Sequence, residues 1–476
     1  MLKKSLVIMS ISAAFFVQAQ DISVIRNSVD VYSNAPMIGS SKFNAMAGSN
    51  GALGGDGTSL MTNPAGIGVA IAGDISGTLS VINNKNTASL AGSSIDYNIN
   101  KANIGNVNGV ATFQLMTESP WKFINVAANI STTSIENYIE SPGNSDISIA
   151  KNLVDQDGNN VVGNLSYLGH AYNRYGTQTQ FNIGVGANYN NAVYFGASIN
   201  MHGVDMEQYD SAILGLDLDN SVTTFDKQYT PYSEKSSGFS GSLGVIGKVS
   251  NQLRLGASIE TPTWWTIDRA YRDYYDGGDG IYYDNFVEDR TFRSPMKATL
   301  SGAFVPNKNF AINVDYTLGL TKPRYKVQGP AESELNAVFN DNYKNLSEIK
   351  VGAEYRIKAL RLRGGYSYAS SPFDSTTISS FSNTGTVSDN NYSNFILGDR
   401  NTIGAGIGYD FGKFYIDAAY QNITSEYKNP FLAGYEFDNY NTGYYSGDFD
   451  VTTPSSVVSD VKNVRNNFFL TLGWKF

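Results

Sequence analysis

Phe181-Asn182-Ile183-Gly184-Val185-Gly186-Ala187-Asn188-Tyr189 decides how this chain is read. Phe, Ile, Val, Ala and Tyr fall on one face and Asn and Gly on the other. A strand obeys this period of two because its successive side chains point to opposite faces. Leu253, Leu255, Ala257 and Ile259 alternate in the same way with Arg254, Gly256, Ser258 and Glu260. Val351, Ala353, Tyr355 and Ile357 alternate with Gly352, Glu354 and Arg356, and Ile403 to Phe411 alternates with Gly404, Gly406 and Gly408. Such runs last about eight to twelve residues, longer than sandwich strands and long enough to cross a bilayer at a tilt.

The connections carry the reading further. Short ones at Thr117–Lys122, Asn190–Asn191, Ser250–Asn251, Val305–Asn309, Lys358–Ala359 and Gly412–Lys413 alternate with long polar segments. The long ones span about 82–106, 132–177, 202–239, 261–296, 318–346, 369–399 and 423–465. Tight turns on one rim and long loops on the other predict an all-β fold, a transmembrane antiparallel barrel of about fourteen strands, with both termini in the periplasm. The last strand, Asn467 to Phe476, puts Phe468, Leu470, Leu472, Trp474 and Phe476 on one outward face. Trp474 and Phe476 are placed at the periplasmic aromatic girdle, as an assembly signal for the barrel assembly machinery.

Composition excludes several classes. At 476 residues, length alone would suggest about three globular domains, but no linker breaks the chain after about residue 75. Cys is absent, so disulfides and thiolate–metal sites are excluded. A net charge of −9 speaks against nucleic acid as a partner, because that needs a basic stripe. Residues 1–19 read as a signal peptide: Lys3 and Lys4 form the charged region, Leu6 to Val17 the apolar one, and cleavage is expected after Ala19 or Gln20. No later run is long and apolar enough for a transmembrane helix. The expected division is a leader (1–19), an N-terminal plug (20–74) and a barrel (75–476).

Between leader and barrel lies Ser40 to Gly68, SSKFNAMAGSNGALGGDGTSLMTNPAGIG, rich in small residues and turns. Its apolar positions suit one or two short helices, with Ser40 or Ser41 capping the first and Thr58 the second. Asn63 precedes Pro64, whose ring disfavours the helical conformation before it, so the second helix should stop there. A glycine-jointed segment of this size suits a plug inside something larger.

Asn44-Ala45-Met46-Ala47-Gly48, Gly51 to Asp56 and Asn63-Pro64-Ala65-Gly66 resemble the hatch of the outer-membrane long-chain fatty acid transporter (FadL/TodX) family, in the wording of its Bacteroidetes branch. Leu253 to Pro262 and Leu362 to Tyr368 resemble two of that family's strands. The resemblance implies a hatch-gated channel for passive uptake of hydrophobic compounds, long-chain fatty acids above all. It implies a hatch that shifts on binding, with Asn63, Pro64, Ala65 and Gly66 as gating residues. It also implies a sideways exit at an inward kink in an early strand. The third strand, Phe123 to Ser131, has no Gly or Pro to mark such a kink.

Other residues invite chemistry. His170 and His202 fall in or beside long loops and read as solvated; neither a Ser/His hydrolase nor a bis-histidine haem site is the expectation. Asp276-Gly277-Gly278-Asp279-Gly280, with Asp273 and Asp284, clusters hard oxygens but lacks the spacing of a Ca²⁺ loop, and reads as an acidic loop tip. Trp264, Trp265, Tyr271 and Tyr275 suit either ligand capture outside the barrel or an interfacial belt. Inward Arg254, Glu260, Asp315, Glu354, Arg356, Arg361, Arg363 and Asp417 make a polar lumen. Charge pairing is the leading use there, with Arg254 and Arg363 the candidates for engaging a carboxylate headgroup. No catalytic residue, metal or cofactor is called for. The partners expected are hydrophobic small molecules, outer-membrane lipid and the assembly machinery. Rival readings are a protein-secretion barrel, as shuttle or anchor, and a general porin.

Overall fold

A computed structural model describes residues 19–476 apart from 117, 155–159, 219–220, 229–231, 277–280, 328–330, 432–435, 438–439, 442–444, 447–448 and 451–454. Fourteen antiparallel strands close into one barrel. They are β1 (Asp74–Leu90), β2 (Ser93–Gln114), β3 (Trp121–Ser134), β4 (Asn160–Tyr189), β5 (Val193–Leu218), β6 (Tyr232–Lys248) and β7 (Leu253–Glu260). Then follow β8 (Lys297–Asn307), β9 (Phe310–Gly319), β10 (Ser347–Ile357), β11 (Leu360–Ala369), β12 (Arg400–Asp410), β13 (Phe414–Phe431) and β14 (Val457–Lys475). The seam is β1 on β14, in register from Asp74↔Lys475 to Ser89↔Asp460. Among the described residues closure leaves no open strand edge within the belt, which a membrane demands because hydrocarbon offers no partner for a free N–H or C=O.

The period of two does what it predicts. Ile183 and Val185 face out and are exposed, whereas Asn182 is buried and Gly184 and Gly186 face the lumen. Phe468, Leu470, Leu472, Trp474 and Phe476 are likewise exposed on the outer face, part of an apolar belt around the wall.

Where the sequence suggests long loops, much of the chain is strand. β1 and β2 run on to a two-residue turn at Ala91–Gly92, with φ of 51° and 83°, so 82–106 is a hairpin. β4 and β5 continue their ladder far past the belt, from Tyr189↔Val193 to Asn164↔Asp217. The alternation fades from the sequence there because the outer face turns polar above the membrane, while the buried inner face mixes Asn84, Asn86 and Arg174 with Ala88, Leu90 and Tyr172. Side chains such as Asn83, which donates to Asn98 and Asn100 at 2.7 and 2.8 Å, supply cross-strand bonds in place of burial.

The wall begins and ends at the short-turn rim, where Gly73 and Phe476 exchange backbone hydrogen bonds, both of 3.0 Å. Residues before it depart from the expectation that the N-terminus lies at that rim. Helix α1 (Ala19–Asp30) sits in the long-loop half, and the chain descends through the lumen to reach β1. The loops fold onto α1: Val24, Ile25, Val29 and Tyr32 share a core with Trp265, Ile267, Phe292 and Tyr325. Leu335, Val338 and Phe339 of a loop helix, α2 (Ala331–Asn342), join it.

Trp264 and Trp265 separate on this geometry. Trp264 is 48 % exposed on the outer surface beside Phe239, whereas Trp265 is 2 % exposed, edge-on to Tyr32 at 4.9 Å, and donates its indole N–H to the Tyr32 carbonyl at 3.2 Å. Trp265→Ala is therefore expected to lower stability by about 3–5 kcal/mol, as for other large-to-small core changes. Trp264→Ala should cost far less; thermal unfolding in detergent compares the two.

Candidate functional site

The plug is built from capped single turns. Ser40 caps the helix Ser41–Ala45, its side chain accepting the Phe43 N–H at 3.3 Å. The next turn, the 3₁₀ helix Gly57–Met61, is capped by Asp56 rather than Thr58: its carboxylate accepts the Thr58 N–H at 3.1 Å, and a carboxylate is the stronger acceptor. That helix stops before the proline as expected, at Met61, and Pro64 also opens a third, Pro64–Val69. Proline suits a first helical position, where its missing N–H would have no partner anyway. Asn63 caps this third helix through its side-chain oxygen on the Ala65 N–H at 3.0 Å. Its amide nitrogen donates to the Gly51 carbonyl at 2.8 Å and the Val245 carbonyl at 3.3 Å. Asn63 thus ties two plug segments to each other and to β6.

The inward glycines are where the plug rests. A side chain at Gly196 would run into Pro64, one at Gly244 into Asn63, and one at Gly365 into Met46. At Gly404 an added Cβ would stand 2.6 Å from the Ala45 carbonyl oxygen. Wall side chains then satisfy the plug's backbone. Asp315 accepts from the N–H groups of Asn50 and Gly51 at 2.9 and 3.1 Å, and Asn313 accepts from Ala52 at 3.2 Å. Thr471 accepts from the Ser41 N–H at 2.8 Å. Inside the plug, Lys42 pairs with Asp56 at 2.8 Å.

Among the expected headgroup ligands, Arg254 donates to the Leu53 carbonyl at 3.3 Å and so holds the plug. Arg363 is sandwiched between Glu354 at 2.7 Å and Asp417 at 2.9 Å, the pairing use expected of lumen charges. The side chains of Tyr271 and Tyr275 and the acidic tip around 277–280 lie outside the described residues, as does most of the leader.

Neither histidine is solvated. His202 lies on the inner wall with Nε2 3.2 Å from Ser240 Oγ, and Ser240 donates to Glu260 at 3.2 Å. The carboxylate holds the serine rather than the histidine, so a nucleophile–base–acid relay is not assembled. His170 stacks on Phe431. Gln180 is the register partner of His202, and His170 lies ten residues from it along the same strand, about 33 Å away, so the two rings do not converge.

Sequence reasoning missed a cavity of about 70 Å³ between α1 and the wall. Arg26, Arg400 and Arg465 line it together with Leu346, Ala369, Ile396 and Ile423. Nε of Arg26, Nε of Arg465 and Oγ of Ser425 are buried there without a partner among the described residues. Arg400 spends one arm on the Asn34 carbonyl at 2.7 Å and reaches Glu348 at 3.6 Å. Asp30, the acid of this lining, already pairs with Arg174 at 2.5 Å. Nothing in the sequence flags these arginines: Arg26 lies on helix α1, Arg400 opens β12, and Arg465 sits where the alternation of β14 has lapsed.

Two outcomes follow. Gly196→Leu or Gly365→Leu is expected to unseat the plug and open the lumen, so single-channel conductance in a planar bilayer should rise well above that of the parent. Burial by itself would raise the Asp30 carboxyl, but the Arg174 guanidinium outweighs it and holds the group below the ordinary carboxylate range. A carboxyl held low stabilises the fold above its unfolded value and stops doing so as pH falls through its folded value. Protection of the α1 amides, the observed exchange rate set against the intrinsic rate at the same pH, should therefore fall as pH drops below 3.8, and Asp30→Asn should show that lowered protection already at neutral pH.

No protein-family model matches the chain, and no curated protein matches it. Solved structures do. A Pseudomonas aeruginosa FadL homologue aligns over 93 % of this chain and 99 % of its own, at 12 % identity and a TM-score of 0.54. The Pseudomonas putida toluene transporter TodX aligns over 93 % and 99 %, at 14 % identity and 0.53. The CymD monoaromatic hydrocarbon channel aligns over 93 % and 99 %, at 11 % and 0.50. Closed wall and seated plug together are the fold of the FadL/TodX outer-membrane channels.

Proposed function

We propose that this protein is an outer-membrane channel for passive uptake of hydrophobic compounds, and that its preferred solutes are amphipathic acids of the long-chain fatty acid class. The observation that carries the finer choice is the arginine-lined cavity. Three guanidinium groups beside aliphatic side chains, two of them with an unbonded Nε, suit a carboxylate joined to an apolar tail. A neutral aromatic such as toluene would leave those donors unmet. At about 70 Å³ the cavity takes a headgroup only, so a tail must part the apolar core between α1 and the loops. The plug fills the lumen that a general porin keeps open, which counts against that rival. In this reading Asn63, Pro64, Ala65 and Gly66 gate, and no covalent chemistry is assigned. Residues 1–19 direct export, and Trp474 and Phe476 serve recognition by the assembly machinery.

The test is binding by purified, delipidated protein, with a long-chain fatty acid, toluene and hemin titrated separately. Saturable fatty-acid binding is expected, weakened about tenfold or more in Arg465→Gln, the scale of one charge-assisted hydrogen bond. Toluene and hemin should show no such dependence. Asn63→Ala is expected to bind normally and to alter uptake. Saturable toluene binding without fatty-acid binding would remove the acid assignment and leave the channel.

A further inference from the structure

Resting on that uptake reading, we propose that the solute leaves axially, past the plug through a neck at Met37 and Met61, while the wall at β3 stays shut. The sideways exit implied by the family resemblance needs a break in an early strand. β3 shows none. It pairs with β2 from Asn106↔Ser131 to Gln114↔Phe123 and with β4 from Trp121↔Tyr189 to Ser134↔Thr177. The irregularity on those two edges falls at Trp121/Phe123, on the short-turn rim. The β1–β2 seam does carry a one-residue bulge at Gly105, but its inner side is filled: an added Cβ would stand 2.8 Å from Ser80 and 3.3 Å from Ile38.

A second feature laces this side of the wall. Asn108 donates to Asn106, Asn106 to Asn129, Asn129 to Asn182 and Asn182 to Asn200, at 2.8, 2.8, 2.9 and 2.6 Å. Asn200 then donates to Ser242 at 2.9 Å. This chain of carboxamides crosses from β2 through β3, β4 and β5 to β6, with every Asn in it at most 3 % exposed. The plug adds to it on β3, where Asn125 donates to the carbonyls of Ile67 and Ala70 at 2.7 and 2.8 Å. Opening β3 would break the backbone ladder, the chain and the plug's hold together, and would leave each buried amide without a partner.

Across the lumen the plug already stands off the wall. Two cavities of about 80 and 70 Å³ lie one below the other along the plug. The upper touches Val31 to Met37 with His202 and Trp265; the lower touches Leu60 to Thr62 with Asp315 and Lys350. Met37, Met61, Gln180, Glu260 and Lys297 line both, so these residues form the neck between them. Two unbranched thioether side chains can swing aside without disturbing the backbone, and the polar lining suits a solute that carries a charged head.

The absence of cysteine allows a direct test. Val126 and Val185 are register partners of β3 and β4 on the lipid face, within bridging distance for a disulfide. V126C/V185C, oxidised, is expected to take up a labelled long-chain fatty acid as well as when reduced. Met61→Trp is expected to slow uptake without loss of fatty-acid binding by the purified protein, and Met61→Ala to speed it. Uptake stopped by oxidation and restored by reductant would overturn the axial route, as would normal uptake by Met61→Trp. Absence of uptake in the parent and in the reduced pair alike would overturn the uptake reading itself, and the route with it.

Discussion

A ring of fourteen strands encloses more space than its own inward side chains can fill, and the way that space is filled governs the rest of this molecule. The filling is polypeptide. Because a chain in single turns presents mostly backbone, the wall must offer room for it and partners for its amides and carbonyls. Glycines at inward positions supply the room, and Asp315, Asn313, Asn125, Arg254 and Thr471 supply the partners. The plug packs by close approach and hydrogen bonding, and in addition by buried side chains such as Leu60 and Ile67 set against Val110 and Ala127 of the wall.

Charge inside the barrel follows the cost of burial. An unpaired buried ion is expensive, so lumen charges come in opposed sets: Arg363 with Glu354 and Asp417, Arg269 with Glu234, Lys350 with Glu348. The Arg363 set joins different strands of the wall, whereas Lys350 and Glu348 pair within β10. The cavity beside α1 is different. Its three arginines share a lining with one acid, Asp30, which pairs with Arg174, while Arg400 also reaches Glu348 outside the lining at 3.6 Å.

The long-loop half closes the barrel from above with an apolar core centred on α1, Tyr32, Trp265 and Phe339. From the long-loop rim inward the lumen presents that core, then the arginines, then the segment Asn34 to Met37 and the constriction at Met37 and Met61 below it.

The barrel was legible in the chain because a wall strand has lipid on one side and polypeptide on the other, and that asymmetry writes a period of two into residues such as 181–189 and 467–476. The short turns and the strand number follow from where the period stops. The plug was legible too, in its glycines and in Asn63-Pro64-Ala65-Gly66, though Asp56 rather than Thr58 proved to be its second cap. Above the membrane the outer face is polar and the buried inner face carries Asn86, Arg174 and Gln208 beside Ala88, Tyr172 and Met206, so the apolar period is lost and the hairpin at 82–106 and the extensions of β4 and β5 read as loops. Register across the ring was beyond reach for a related reason. Which inward residues meet depends on strand stagger, so the pairing of Arg363 with Asp417, the carboxamide chain from Asn108 to Ser242 and the convergence of Arg26, Arg400 and Arg465 were decided only when the barrel closed around its plug.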